Sequence, residues 1–322
     1  MTRNNGFLSL CLLAAVNLVG VAGCDEEDID GNDELVEDFT PVDEERTFRT
    51  VVENGVVHNG VNLNGVKLNG VKLNGTAMGA VSMSNVQITA GSLISAFDTN
   101  TSQTRVGSDL ASMIFDLGID IDGGVETPRK LKVKSVTKSA VQSDVYFYEM
   151  ENQVGASWEP ACLDGAGNPV DAIALRKNWD PANGARQENP DAITWACRGA
   201  ALAKAVEWGY RPWAIHLGTP LEDFHEAAVR MIRADYCGTG TPHTSNGNSI
   251  DVGDKLGIQF TDTTWPVEAK WGPNGAVCLN TPRKLYHPRA SIPCAFRLPT
   301  CSNIDPAEHN GLLMTRAVAN NI

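Results

Sequence analysis

The chain has 322 residues, of which 42% are hydrophobic and 20% charged, and a formal net charge of −13. An acidic balance of that size excludes the basic footprint that nucleic acid requires. Beyond the first 23 residues no stretch is apolar enough to be expected to span a bilayer.

Arg3 and the α-amine make a short positive region, and an apolar run from Phe7 to Val21 ends in Val21-Ala22-Gly23-Cys24. The run is about 15 residues long, short of the ~20 that a hydrocarbon core needs. Small residues before the cut suit a signal peptidase. The segment resembles the lipobox of bacterial lipoproteins. The resemblance implies cleavage before Cys24, lipid on its thiol and its new amine, and an exported protein tethered to the outer membrane or cell surface rather than the inner membrane. Residues 1–23 are then a signal peptide.

Residues 25–45 hold 12 acids and no base. With that tract and Arg3 set aside, 27 acids face 25 bases, so the remainder is nearly neutral and the acidity belongs to one segment. Such a tract cannot bury enough apolar surface to fold, and it repels itself into an extended chain. Residues 24–50 are read as a disordered acidic spacer. Acidic residues directly after a lipidated cysteine also influence lipoprotein sorting in some bacteria, a second use for the tract.

A five-residue repeat follows, as in Val61-Asn62-Leu63-Asn64-Gly65 and Val66-Lys67-Leu68-Asn69-Gly70, decaying through Val81-Ser82-Met83-Ser84-Asn85. Apolar residues hold the first and third places. Period five scatters them round a helix and flips them across a regular strand at each repeat. A coil that turns a corner at Asn-Gly keeps both inward. The stretch resembles pentapeptide-repeat proteins, which implies a short β-helix over residues 51–95. The Val-x-Leu-Asn-Gly pattern departs from the commoner Ala-Asp/Asn-Leu.

Residues 96–157 read as a small antiparallel β-rich region, with alternation in Leu131-Lys132-Val133-Lys134 and aromatic, β-branched residues in Asp144–Glu149. Residues 158–322 read as an α+β domain. One helix is expected over Gly199–Trp208, closed by Gly209. A second is expected from the capping-box spacing Thr219-Pro220-Leu221-Glu222 to about Cys237-Gly238. A strand is expected at Gly275–Leu279. The fold class is therefore α+β: a short pentapeptide-type β-helix, a β-rich segment and a disulfide-stapled α+β domain.

With Cys11 in the signal and Cys24 lipidated, Cys162, Cys197, Cys237, Cys278, Cys294 and Cys301 remain. An even number in an exported chain reads as a framework of three disulfides, with 15 pairings open. No C-x-x-C pair suggests a zinc site.

The distinctive words are Trp208-Gly209-Tyr210-Arg211-Pro212-Trp213, Ala234-Asp235-Tyr236-Cys237-Gly238, Ser249-Ile250-Asp251-Val252 and Trp271-Gly272-Pro273-Asn274-Gly275-Ala276-Val277-Cys278. They resemble the ADYC domain family, named after the tetrapeptide at 234–237. The resemblance covers roughly residues 158–300. It implies secreted proteins or lipoproteins, chiefly of myxobacteria, and no established activity. It also implies cysteines at the positions of Ala205 and Ala228.

Candidate chemistry is sparse. Cys237 with His225 as base and Asp235 as orienter would make a nucleophile, but a continuous helix separates the first two by about 18 Å. His225 or His243 with Asp235 or Asp251 would make an acid/base pair. Arg230 and Arg233 beside Asp235 read as a local ion-pair network at a helix end. Asp251 and Asp254 after a glycine-rich turn suggest calcium, without EF-hand spacing. Trp195, Trp208, Trp213, Trp265 and Trp271 read as core or as a glycan platform. No cofactor and no metal are implied. The leading expectation is a non-enzymatic cell-envelope lipoprotein that presents its domain to a protein or glycan. The alternative is an envelope hydrolase using the His/Asp pair.

Overall fold

In the computed structural model, the described residues are 81–122, 125–180, 184–188 and 192–318, with the short strands Val51–Glu53, Val71–Lys72 and Ala77–Met78. The lipobox with Cys24, the acidic spacer and most of the pentad repeats lie outside them.

Antiparallel β-structure dominates, and the described residues contain two α-helices, α1 (Ala201–Glu207) and α2 (Glu222–Arg233). The expected α+β class with a β-helix is therefore corrected to a β-rich fold. One sheet has eleven strands. Its order runs Val71–Lys72, Ala192–Cys197, Ala172–Leu175, Tyr146–Val154, Val125–Lys138, Met113–Asp122, Ala77–Met78, Val81–Ala90, Leu93–Asp98 and Gln103–Val106, with Ser157–Pro160 paired to Tyr146–Val154. A second sheet of five strands orders Val51–Glu53, Ser249–Asp254, Leu313–Arg316, Val267–Gly272 and Gly275–Leu279.

The end of the pentad tract shows why the β-helix fails. Val81–Ala90 forms a hairpin with Leu93–Asp98. Its register moves from Ser84 opposite Phe97 to Gln87 opposite Ser95, so one extra residue sits on the first strand. Asn85, the fifth place of its pentad, lies there with φ 48. A bulge resets the alternation, and Met83, Val86 and Ile88 are all buried. An extra residue at Asn85 thus keeps Met83, Val86 and Ile88 on one face of this antiparallel strand, with no corner turned. Val71–Lys72 and Ala77–Met78 are likewise antiparallel sheet strands.

The two helices connect the sheets. α1 packs on Ala192–Cys197 of the large sheet, α2 on three strands of the small one, and the helices pack on each other. Ala172–Leu175 is buried on both faces. Ile173 and Leu175 join the helical core, while Ala172 and Ala174 join a second core with Phe115, Leu131, Tyr148 and Trp195. The expected alternation at 131–134 holds: Leu131 and Val133 are buried, and Lys132 and Lys134 pair with Glu151 and Glu149 on the neighbouring strand.

The first helix ends on Gly209 at φ 103, as its sequence suggested. The second departs at both ends. Thr219–Pro220 pairs with Ile215–His216 instead of starting a helix, and Leu221 makes no side-chain cap bond. At the other end Ala234 turns left-handed (φ 51), three residues before the expected stop. The disulfides join Cys162 to Cys197, Cys237 to Cys294 and Cys278 to Cys301.

Candidate functional site

The tetrapeptide at 234–237 ties the end of α2 to the rest of the domain. Ala234 ends the helix, and the chain then folds around the Asp235 carboxylate. That group accepts from Arg230 Nη1 at 2.7 Å, Thr239 N at 3.0 Å and Gly240 N at 2.8 Å, with the residue fully buried. Arg230 also pairs with Glu226 at 3.3 Å, and Arg233 donates to Gly240 O. The ion-pair network expected at this helix end is thus present.

Tyr236 stacks on Trp271 at 5.2 Å and on His243 at 5.8 Å. Its hydroxyl donates to Glu268 Oε1 at 2.6 Å, and Arg283 Nε donates to the same oxygen at 2.7 Å. Burial pushes the Tyr236 hydroxyl well above the usual tyrosine range, with the Glu268 charge adding to it. Cys237 is held by its disulfide and is no free nucleophile. Gly238, at φ 66, lies against the Asn274 carbonyl, and Gly275, at φ 114, against Gly238 N and Tyr236 O. Neither position has room for a Cβ, so the 271–278 word and the tetrapeptide are two halves of one close approach. In the 208–213 word, Tyr210 donates to Asp254 at 2.9 Å, while Arg211 and Trp213 both donate to Asp144.

The acid/base candidates fall into separate places. His225 is buried in α2, and its Nε2–H donates to the Leu202 carbonyl at 3.1 Å, which leaves the proton on that nitrogen. Burial lowers its pKa to about 4. Asp251 is fully buried and accepts from Thr263 N at 3.0 Å and Thr263 Oγ1 at 2.5 Å. His243 is drawn near Asp235: burial depresses its pKa while the Asp235 charge opposes that shift. The Asp235 oxygens accept from Arg230 and two backbone N–H groups, and the His243 ring stacks on Tyr236.

The calcium reading meets groups bonded within the protein, with one Asp251 oxygen, Oδ1, buried and unpartnered. Asp254 accepts from Leu256 N, Ile258 N and Gln259 N inside its own turn, and from the distant Tyr210 hydroxyl. Three residues from Asp251 on one strand, it faces the opposite side of the sheet. Among the described residues no group of three His, Cys, Asp or Glu is placed to hold a metal. Trp195 and Trp271 are fully buried and Trp213 nearly so, which makes them core, while Trp208 and Trp265 are half-buried.

A cleft of about 380 Å³ was not legible in the sequence. Glu149, Asp164, Asp171, Arg198 and Glu207 line it, with Pro169, Val170 and Gly199. They come from a strand, a loop, a turn and the end of α1, brought together by the pairing of Ala172–Leu175 with its two neighbouring strands, beside the Cys162–Cys197 bridge. Glu207 pairs with Arg198 at 2.7 Å, and Asp164 folds its own turn through Asn168. Lys134 donates to Glu149 at 2.5 Å and lowers its pKa, whereas partial burial raises that of Asp171, with Arg198 opposing and Glu149 reinforcing the rise. The two carboxyl groups are thus pushed in opposite directions at one concave surface.

No curated protein and no solved structure matches the chain. A family model described as the ADYC domain matches residues 107–285, more than half of the chain; it contains the distinctive words, and it starts about 50 residues before and ends about 15 before the span expected at 158–300. The matched span takes in the long strands of the large sheet, both helices, the cleft and the buried network around residues 234–237, and on that match the chain belongs to the ADYC domain family.

Proposed function

We propose that this is a non-enzymatic cell-envelope lipoprotein, anchored through Cys24, whose disulfide-stapled ADYC domain binds a protein or glycan of the envelope. The observation that carries the reading is the fate of His225, Asp235, His243 and Asp251. His225, Asp235 and Asp251 are buried in bonds that build the fold, and His243 packs against Tyr236. Three disulfides fit an oxidising compartment, outside the cytosol. Fractionation tests the anchor: Cys24→Ala is expected to move the protein from membranes to the soluble fraction and to abolish lipid labelling. Lipid labelling that persists would refute it.

One observation favours a second reading, an envelope hydrolase with a different acid/base pair. Asp171 and Glu149 sit at one cleft with their proton affinities pushed apart, the pattern of a general acid beside a general base. Incubating the full chain with isolated envelope glycans and proteins separates the two. Binding without new fragments is expected. Fragments that vanish with Asp171→Asn or Glu149→Gln would install the hydrolase instead.

A further inference from the structure

Between Glu268 and Asp305 the chain has no acidic side chain. Two of the cations in that stretch are committed to the core: Lys270 pairs with Glu308, and Arg283 with Glu268. Lys284, Arg289 and Arg297 have no carboxylate partner among the described residues. Arg289 donates to the carbonyls of Leu279, Ala295 and Leu298, which binds the loop to itself and leaves its charge uncompensated.

The same stretch exposes large apolar side chains. Tyr286 is 85% exposed, Phe296 79% and Ile304 64%. Tyr286 also holds φ 59, a left-handed conformation that is unfavourable for a residue with a Cβ. The Arg297 guanidinium lies 4.9 Å from the Phe296 ring. Disulfides 237–294 and 278–301 hold the segment, so this display is built on a cross-linked frame.

We propose that the loop at residues 279–304 is a docking surface for an anionic phospholipid bilayer. Tyr286 and Phe296 enter the headgroup region, where amphipathic and aromatic rings are favoured. Lys284 and Arg297 face the lipid phosphates, while Arg289, tied to the loop carbonyls, adds its charge from within the segment. Charge complementarity selects this occupant: Lys284 and Arg297 without a carboxylate partner, in a stretch that holds no acid from 269 to 304, suit a negative surface, and such attraction adds up over several cations. The rings are almost fully exposed, which suits a planar interface better than a groove-bound ligand. This contact needs no lipid on Cys24, so it stands or falls separately from the anchor.

The test uses the full-length Cys24→Ser chain and co-sedimentation with vesicles of phosphatidylcholine alone or with a quarter phosphatidylglycerol. Binding to the mixed vesicles is expected, with little to the neutral ones, and it should fall as salt rises from 50 to 500 mM because screening shortens the reach of the charges. Lys284→Glu with Arg297→Glu should weaken binding by roughly thirtyfold or more. Tyr286→Ser with Phe296→Ser should weaken it by about tenfold. Each variant should keep three disulfides by mass mapping and the parent melting temperature. Equal binding to neutral vesicles, as insertion of the apolar run at 7–21 would produce, overturns the proposal. So does binding that both variants leave unchanged, or retention on a soluble acidic polysaccharide with none on vesicles. The salt dependence of the unmutated chain gives a readout that needs no variant.

Discussion

Asp235→Ala is expected to destabilise the folded chain by about 3–5 kcal/mol, the cost of breaking a buried ion pair by removing one partner. Asp235 is fully buried, and Arg230 beside it is only 4% exposed at its side chain, so water cannot replace the lost carboxylate. The deletion also removes the acceptor of the Thr239 and Gly240 backbone N–H groups, a smaller loss because these bonds are only part-buried and water reaches the turn. Against a total stability of roughly 5–15 kcal/mol, such a loss is a large fraction of what keeps the chain folded. Asp235→Asn keeps an acceptor but not the charge and should fall between the two. Urea unfolding followed by tryptophan fluorescence, with the disulfides intact, measures the difference. A parent-like midpoint for the alanine variant would show that the tetrapeptide is not the structural centre described above. A catalytic aspartate would behave in the opposite way, with activity lost and the fold spared.

Acidification is the second large effect, and it runs through His225. Its folded pKa is about 4 because burial disfavours the imidazolium, while the unfolded chain titrates near 6.5. Between those values the unfolded state binds a proton that the folded state refuses. Stability is therefore full above pH 6.5 and declines as the pH falls to 4, by about 3 kcal/mol at 1.36 kcal/mol per unit. Asp254 and Glu226 act with the reverse sign. Burial raises both, so the folded state takes up their protons first and gains stability on acidification. His225→Gln isolates the histidine, since the amide can still donate to Leu202 O without titrating. The stability gap between the parent and this variant should be constant above pH 7 and shift by about 3 kcal/mol against the parent by pH 4. A gap independent of pH would mean that His225 is not held neutral by the fold.

Some of this was readable from residues alone because the physics is local. The alternation at Leu131–Lys134 states which side chains face a core, whatever that core is. Gly209 relieves the left-handed turn that ends α1, and the words at 208–213, 234–238 and 271–278 mark the family. The structure explains why those words are restrictive. The words at 234–238 and 271–278 are the two sides of contacts in which Gly238 and Gly275 leave no room for a side chain, Asp235 bonds its own turn, and Tyr236 lies against Trp271, while the word at 208–213 bonds to Asp254 and Asp144.

Other features depended on partners that lie far away in sequence. Thr219-Pro220 has helix-start chemistry but is claimed by Ile215–His216 as a strand partner. The end of α2 is set at Ala234 because Asp235 is needed where Arg230, Thr239 and Gly240 converge. The candidate cleft was invisible for the same reason, since Glu149, Asp171, Arg198 and Glu207 share no motif and meet only where the strands Tyr146–Val154, Ala172–Leu175 and Ala192–Cys197 pair.

By itself the sequence determined the number of late cysteines, the local strand and helix tendencies and the family words, all of which rest on neighbours a few residues apart. Tertiary structure chose one disulfide pairing among fifteen, turned a five-residue period into a bulged antiparallel strand, and assigned the conspicuous histidines and aspartates to the scaffold. Those choices depend on which strand lies opposite Asn85 and on what shields His225 and Asp235 from water, and burial and register are properties of the packed chain rather than of any segment of it.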